Sequence, residues 1–201
     1  MQAERRTRLS PDERRAQLVA LGVAFLADHP LDQLTIEYLS TKAGVSRGLL
    51  FHYFDSKNGL HREVVRTARD SMLRATEPVA DLEPLDRLRD TLTRIVQFVR
   101  DHRGTFFSLV RGVASGDTEV RGVVEEARRV QADRVIAVFL ELGREDSELL
   151  RIALRSWVAF AEEMLVESAL GTEMPSERIV AFLERSARAV ATAVDPHGSH
   201  F

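Results

Sequence analysis

Apolar residues recur three and four positions apart along almost the whole chain, and runs of alternating β-branched residues joined by hairpin turns are absent. This spacing gathers the apolar side chains on one face of an α-helix, and that face must be buried against a neighbour. Hydrophobic residues make up 44% of the 201 residues, which is enough for a core and argues against global disorder. The sequence therefore predicts an all-α fold.

Local signals divide the first part of the chain into short helices. The pair Ser10–Pro11 is a typical helix start, and Pro30 predicts that this first helix ends near residues 28–29. The hydroxyl of Thr35 can cap a second helix, and Gly44 supplies the tight turn that often follows a helix end.

Two more helices complete this first part, and longer helices follow. Ser46 predicts a third helix that runs to Phe54, and Ser56 opens a fourth. The fourth helix carries a single apolar stripe of Leu60, Val64, Ala68 and Met72. After a connection at 81–84, apolar spacing predicts further helices at 85–99, 105–113, 120–142 and 148–170, and a last helix that Ser176 caps and that runs through Val194.

Charge is divided unevenly between the two parts. Residues 1–74 contain 12 Lys and Arg against 9 Asp and Glu, a net charge of +3, and the remaining residues carry −6. A basic first part on an acidic second part indicates a polyanion as the partner of the first part alone.

Several function classes are excluded or not expected. The chain has no cysteine, which excludes disulfides, thiolate zinc sites and cysteine nucleophiles. No G-x-S-x-G elbow, H-E-x-x-H pair or glycine-rich phosphate loop is present, so we expect no enzyme, no catalytic residue and no cofactor. His197 and His200 lie in a predicted mobile tail, which is unsuited to a metal site. Without a signal peptide or an apolar run of membrane-spanning length, we expect a cytoplasmic protein that does not contact a membrane.

The stretch 35–57 carries the most specific functional signal. Two short helices separated by a glycine-containing turn make a helix-turn-helix, whose second helix is expected to enter the major groove of DNA. Arg47 can donate to guanine or phosphate, and His52 and Tyr53 present polar tips. Lys57, at the start of the fourth helix, combines a charge with free backbone N–H groups and is suited to a phosphate.

Over residues 12–70 the sequence resembles the TetR family of bacterial repressors. The matching positions are Thr35, Leu39, Lys42, Ala43, Gly44, Val45, Ser46, Gly48, Leu50, Tyr53, Phe54, Ser56, Lys57 and Leu60. The resemblance implies a helix-turn-helix DNA-binding head on a helical body that binds a ligand and dimerises. It also implies DNA contacts by Thr35, Ser46, Arg47, Gly48, Leu49, Phe51, His52, Tyr53 and Lys57.

Two of these positions depart from the family pattern. Leu49 stands where threonine is frequent, which replaces a hydroxyl contact with possible contact to a thymine methyl. Phe51 stands where tyrosine is common, which removes a hydroxyl and one expected phosphate bond. The ring of Phe51 either packs beneath the recognition helix or touches the DNA, whereas Leu50 and Phe54 are expected in the core.

The resemblance implies a ligand pocket among the body helices, where aromatic residues cluster with a few polar ones. A mostly apolar pocket would suit a small, largely apolar effector of unknown identity, although ordinary core packing also explains each aromatic residue. The candidate lining residues are Phe98, His102, Phe107, Arg111, Arg134, Phe139, Trp157, Phe160 and Glu163.

Dimerisation would let two heads bind a palindromic operator, with half-sites about 34–36 Å apart or a multiple of that. The candidate interface residues are Leu165, Leu170, Ile179, Phe182, Leu183 and Val190. The predicted divisions are a flexible basic tail at 1–10, a DNA-binding domain at 11–56, a ligand-binding and dimerisation domain at 57–195 and a disordered tail at 196–201. A ligand-responsive repressor is the favoured function, and a helical scaffold is the alternative.

Overall fold

The computed structural model describes residues 9–111 and 117–194, and in these ranges every regular element is helical. The nine α-helices of these ranges are α1 (Pro11–Phe25), α2 (Ile36–Ala43), α3 (Arg47–Phe54), α4 (Lys57–Ala75), α5 (Pro84–Asp101), α6 (Arg103–Arg111), α7 (Thr118–Glu141), α8 (Glu148–Leu165) and α9 (Ser176–Val194). A 3₁₀ turn covers Leu31–Gln33, and Val166–Leu170 prolongs α8 as a π-helical turn. The predicted all-α fold is confirmed.

The first four helices begin at the hydroxyl residues that the sequence indicated. Ser10 forms a capping box with Glu13, since each side chain accepts a hydrogen bond from the other residue's backbone N–H. Thr35, Ser46 and Ser56 each accept from the backbone N–H three residues further on and cap α2, α3 and α4. The predicted starts of these helices are therefore confirmed.

Some boundaries differ from the prediction. Helix α1 ends at Phe25, and a turn covers the next three residues. Helix α9 includes Ser176 as its first residue, and the Ser176 hydroxyl accepts a hydrogen bond from the Arg100 guanidinium at 2.7 Å. The predicted tails at 1–10 and 196–201 lie almost wholly outside the described residues, as do His197 and His200.

The described helices bury two hydrophobic clusters, which define a head and a body. The head consists of α1 to α4, and its core is formed by Leu18, Val19, Phe25, Leu26, Leu31, Leu34, Ile36, Leu39, Leu50, Phe54, Leu60, Val64, Val65 and Ala68. The body consists of α5 to α9, with a core that includes Leu92, Val96, Ile136, Phe139, Leu154, Trp157, Ile179 and Leu183. Met72, near the end of α4, packs against the body core, so α4 connects the two.

Body helices also close the head core from one side. Val120, Val123 and Val124 of α7 are buried in the head cluster. At the start of α6, Gly104 lies so close to the end of α1 that an added Cβ would come within 2.0 Å of the Ala27 carbonyl oxygen. The position of the head is therefore set by contacts with α6 and α7 as well as by the chain connection through α4.

No helix in the described ranges combines the length and the apolar character that crossing a membrane requires.

Candidate nucleic-acid interface and ligand cavity

The turn between α2 and α3 is held by local hydrogen bonds. Gly44 adopts the left-handed conformation, with φ of 64°, which is the region that glycine enters without strain. The Ser40 hydroxyl donates to the Val45 carbonyl oxygen at 2.6 Å, and the Ser40 carbonyl oxygen accepts from the Val45 N–H at 3.1 Å. This double contact fixes the direction in which α3 leaves the turn.

Helix α3 buries one face and presents the other. Leu50 and Phe54 are almost fully buried in the head core, as the sequence predicted. On the remaining surface, Arg47, Gly48, Phe51 and His52 are exposed, and Leu49 and Tyr53 are half-buried. Phe51 is 47% exposed, so it does not pack beneath the recognition helix, and its contact with DNA stays a prediction.

An ion pair joins the two helices of the motif across this exposed surface. The Arg47 guanidinium lies 3.1 Å from a carboxylate oxygen of Glu37, and both side chains are 65% exposed. The pKa of Glu37 is lowered by its own backbone N–H and then by the hydrogen bond from Arg47. Because the pair is open to solvent, it is weak, and Arg47 can exchange the carboxylate for another anion.

Three groups around this surface can donate to phosphate. Lys57 is exposed, and its ammonium donates one hydrogen bond to the Asp32 carbonyl oxygen at 2.9 Å. The hydroxyls of Thr35 and Ser46 accept cap bonds from Tyr38 and Leu49, so each keeps its own O–H for donation. The surface formed by Thr35, Ser46, Arg47, Gly48, Leu49, Phe51, His52, Tyr53 and Lys57 is called the recognition surface below.

The structure also reveals a buried histidine for which the sequence analysis had no prediction. His61 is 7% exposed, and its Nε2–H donates to the Leu34 carbonyl oxygen at 2.8 Å. Burial lowers its pKa. Its position next to Leu60, on the apolar stripe of α4, is the signal that could have indicated burial.

A cavity of about 70 Å³ lies between the end of α4 and the body helices α5, α6, α7 and α8. Twelve of the seventeen lining residues are apolar, namely Met72, Pro78, Leu88, Leu92, Ile95, Phe106, Val135, Val138, Trp157, Val158, Ala161 and Leu165. The other five are Arg87, Thr91, Gln131, Arg134 and Glu162. This chemistry is typical of a binding site for a mostly apolar small molecule with a few polar groups.

Arg134 connects the cavity wall to the end of α4. Its guanidinium donates to the carbonyl oxygens of Leu73 at 3.0 Å and Thr76 at 3.1 Å, and to the Thr76 hydroxyl at 3.3 Å. These oxygens lie at the C-terminal end of α4, where a cation also interacts favourably with the helix dipole. The same residue therefore contacts the cavity and holds the helix that leads to the head.

The predicted pocket residues lie in several environments. Arg134 and Trp157 line the cavity. Phe98 and Phe139 are buried outside its lining, and His102, Phe107, Phe160 and Glu163 are exposed, while the side chain of Arg111 is outside the described part. The cavity is instead lined by Phe106 and Glu162, the sequence neighbours of two predicted residues.

The predicted interface residues are also divided. Ile179 and Leu183 are fully buried in the body core, Leu165 lines the cavity and Val190 is half-buried, while the Leu170 side chain is not described. Phe182 is 42% exposed, and its ring lies 6.2 Å from that of Phe160. Together with two exposed apolar residues of α8, these rings form a surface called the outer face, which consists of Leu149, Ile152, Phe160 and Phe182.

Two family models match the chain. Residues 18–64 match the model described as "Bacterial regulatory proteins, tetR family". Residues 84–190, more than half of the chain, match the model described as "Tetracyclin repressor-like, C-terminal domain".

Individual proteins are similar to the chain as well. The transcriptional regulator BetI of Cronobacter sakazakii is 34% identical over 79 residues, which are 37% of this chain and 39% of that protein. The chain therefore spans well under half of the length of this relative. The transcriptional repressor KstR2 of Mycolicibacterium smegmatis is 22% identical over 175 residues, 86% of this chain and 75% of that protein. A tetR-family regulator structure from Streptomyces coelicolor has a TM-score of 0.80 at 24% identity, covering 94% of this chain and 86% of the other.

Proposed function

The chain belongs to the TetR family of bacterial regulatory proteins, and from that premise we propose that it is a cytoplasmic, dimeric DNA-binding repressor. A palindromic operator is its DNA partner, and a small, largely apolar effector releases it. The observation that carries the proposal is the recognition surface, whose Arg47, Gly48, Phe51 and His52 are exposed on α3, a helix held by a capped turn and a buried core.

The chemistry of the recognition surface supports specific binding to a duplex. Arg47 and His52, exposed on α3, can donate to base edges, and the half-buried Leu49 and exposed Phe51 can contact thymine methyl groups. Thr35, Ser46 and Lys57 can donate to the flanking phosphates, which fix the register without selecting a sequence. A helical scaffold protein has no need for this combination of exposed groups.

The small volume of the cavity supports an effector mechanism that acts through α4. Ligand pockets commonly measure about 300–1,000 Å³, whereas this cavity measures about 70 Å³. A ligand that needs a pocket of the usual volume must therefore widen the cavity. Met72 of α4 lines the cavity, and α4 follows the recognition helix after a short turn. An effector that binds better to the widened form shifts the population towards a different head position.

Selection of bound duplexes from a random pool, followed by affinity measurements across a salt series, tests DNA binding. The wild-type protein is expected to select a palindrome and to lose affinity steeply with salt, because bound phosphates release counterions. K57A is expected to weaken binding to all duplexes and reduce the salt slope by about 1. R47A is expected to cost about 1–3 kcal/mol and relax the preference at one base pair.

R129A is the matched control, since Arg129 is an exposed arginine on the body helix α7. It should retain the wild-type affinity, slope and selected sequence. Enrichment of no duplex, or a binding constant that is independent of salt, would contradict the proposal and favour the scaffold.

A further inference from the structure

Arg134 is a half-buried cation whose hydrogen-bond partners are all uncharged. Besides the oxygens of Leu73 and Thr76, its guanidinium lies 3.5 Å from the Gln131 amide oxygen. Within the described part of the chain no carboxylate lies at ion-pair distance from it. Burial lowers the pKa of Arg134, and Glu77, which acts in the opposite direction, does so from beyond ion-pair distance. The charge of Arg134 is therefore partly desolvated and has no counter-ion among the described residues.

The other charged residues of the cavity lining are paired. Arg87 forms an ion pair with Glu141, and Glu162 accepts from Arg128 at 2.7 Å. Because the charges cancel within each of these two pairs, the lining keeps one net positive charge, that of Arg134. An apolar cavity with one uncompensated cation is suited to a ligand with one negative charge.

The lining also contains a buried polar group with no hydrogen-bond partner. The Thr91 hydroxyl belongs to a residue that is 7% exposed, and its oxygen makes no hydrogen bond in the structure. Buried polar atoms are rarely left unpaired in folded proteins, and a hydroxyl in a cavity wall is placed to bond to a molecule in the cavity, either water or a ligand. This observation is independent of the charge of Arg134.

We propose that the cavity binds an amphipathic carboxylic acid, whose carboxylate pairs with Arg134 and whose apolar part contacts Leu92, Ile95, Trp157 and Val158. The inference rests on the proposed function, since it names the class of the effector. A carboxylate carries a single negative charge, which the one net positive charge of the lining can balance, and it can accept two hydrogen bonds from a guanidinium. A phosphate monoester carries up to two negative charges, and the second would have no positive partner in the lining.

This chemistry links the ligand directly to α4. A carboxylate at Arg134 competes for the N–H groups that now donate to the Leu73 and Thr76 carbonyl oxygens. Those bonds hold the C-terminal end of α4 to α7, so their loss loosens the helix that carries the head. An acid is therefore expected to release DNA more effectively than a neutral molecule of the same shape.

Calorimetric titration of the full chain with two matched pairs tests the inference. The pairs are decanoate with decan-1-ol, and 4-phenylbutyrate with 4-phenylbutan-1-ol. At least one acid is expected to bind ten or more times as tightly as its alcohol. In R134Q this preference should fall to about one, while R134K, which keeps the charge, should retain part of it.

R129Q is the matched control, because it makes the same substitution at an exposed arginine of the same helix. It should keep the full preference for the acid. T91V should weaken acid binding severalfold, and circular dichroism of every variant identifies any that fails to fold. R134K and T91V both keep a cation at position 134. If R134Q fails to fold, a reduced acid preference in R134K and weaker acid binding by T91V still test the inference.

Equal binding of acid and alcohol would overturn the inference, as would binding of neither pair or an acid preference that R134Q leaves unchanged. Duplex binding by the ligand-free protein is measured in parallel. If the protein binds a selected duplex but shows no acid preference, the inference fails and the DNA-binding proposal stands. If it binds no duplex, the proposed function itself fails.

Discussion

His61 brings a titratable ring into the core of the head. The Nε2–H of the ring donates to the Leu34 carbonyl oxygen in either protonation state, but protonation would place a charge where little water reaches it. Burial is the largest cause of its lowered pKa, and Lys57 acts in the same direction, whereas the bond to the Leu34 carbonyl oxygen, Asp117 and Asp32 partly oppose it. A single buried ring thus makes the stability of the head depend on pH.

We predict that the free energy of unfolding decreases as the pH falls below about 6.5, the ordinary pKa of histidine. Between that value and the lowered pKa of folded His61, the unfolded chain binds more protons, so acid favours unfolding. Urea unfolding between pH 7.5 and 5 measures this dependence. H61Q, whose amide can still donate to Leu34, should flatten the curve in this window; an unchanged curve would contradict the prediction.

Gly104 shows at the scale of elements how closely α6 approaches the end of α1. An alanine Cβ there would lie 2.0 Å from the Ala27 carbonyl oxygen and 2.3 Å from that of Leu26. Both neighbours are backbone atoms and cannot turn aside as a side chain would. The contact between the head and α6 therefore tolerates no side chain at this position.

We predict that G104A destabilises the protein by about 1–3 kcal/mol, the usual cost of overpacking a closely packed contact. Chemical denaturation measures the change. G122A is the control, since Gly122 lies in α7 with nothing within 4 Å of an added Cβ, and it should instead stabilise by about 0.5–1 kcal/mol. Equal changes in the free energy of unfolding for G104A and G122A would show that the contact between α6 and the end of α1 has room for a side chain.

Helix starts were predictable because a cap is a local interaction between residues three apart in the sequence. Ser46 is an example, since its hydroxyl meets the N–H of Leu49 whatever the rest of the molecule does. The cavity lining depends on the rotation of each helix, and adjacent residues differ by about 100° around the axis. Phe106 and Glu162 line the cavity where Phe107 and Glu163 were expected. In each case two identical residues are adjacent in the sequence, and the sequence spacing did not determine which of the two faces inward.

The outer face raises the question of assembly at the scale of the whole molecule. Leu149, Ile152 and Phe160 follow one side of α8, and Phe182 of α9 extends the same surface. Exposed apolar residues that cluster in this way are typical of protein interfaces. A surface of this kind that packs against its own copy across a twofold axis would join two bodies and leave both heads free.

We predict that the double substitution F160E/F182E converts a dimer to a monomer. Each protomer would contribute two carboxylates, so the interface would bury four carboxylates without partners. Sedimentation velocity measures the assembly. V79E is the matched control, since Val79 is also an exposed apolar residue, 42% accessible, but lies in the connection between α4 and α5.

The monomer should bind a single half-site weakly and lose most of its affinity for the full palindrome, because the second head no longer binds the same DNA as part of one particle. A double variant that remains dimeric, or a wild-type protein that is monomeric at micromolar concentration, would contradict the assignment of this face, and the two heads would then need another means of reaching adjacent half-sites.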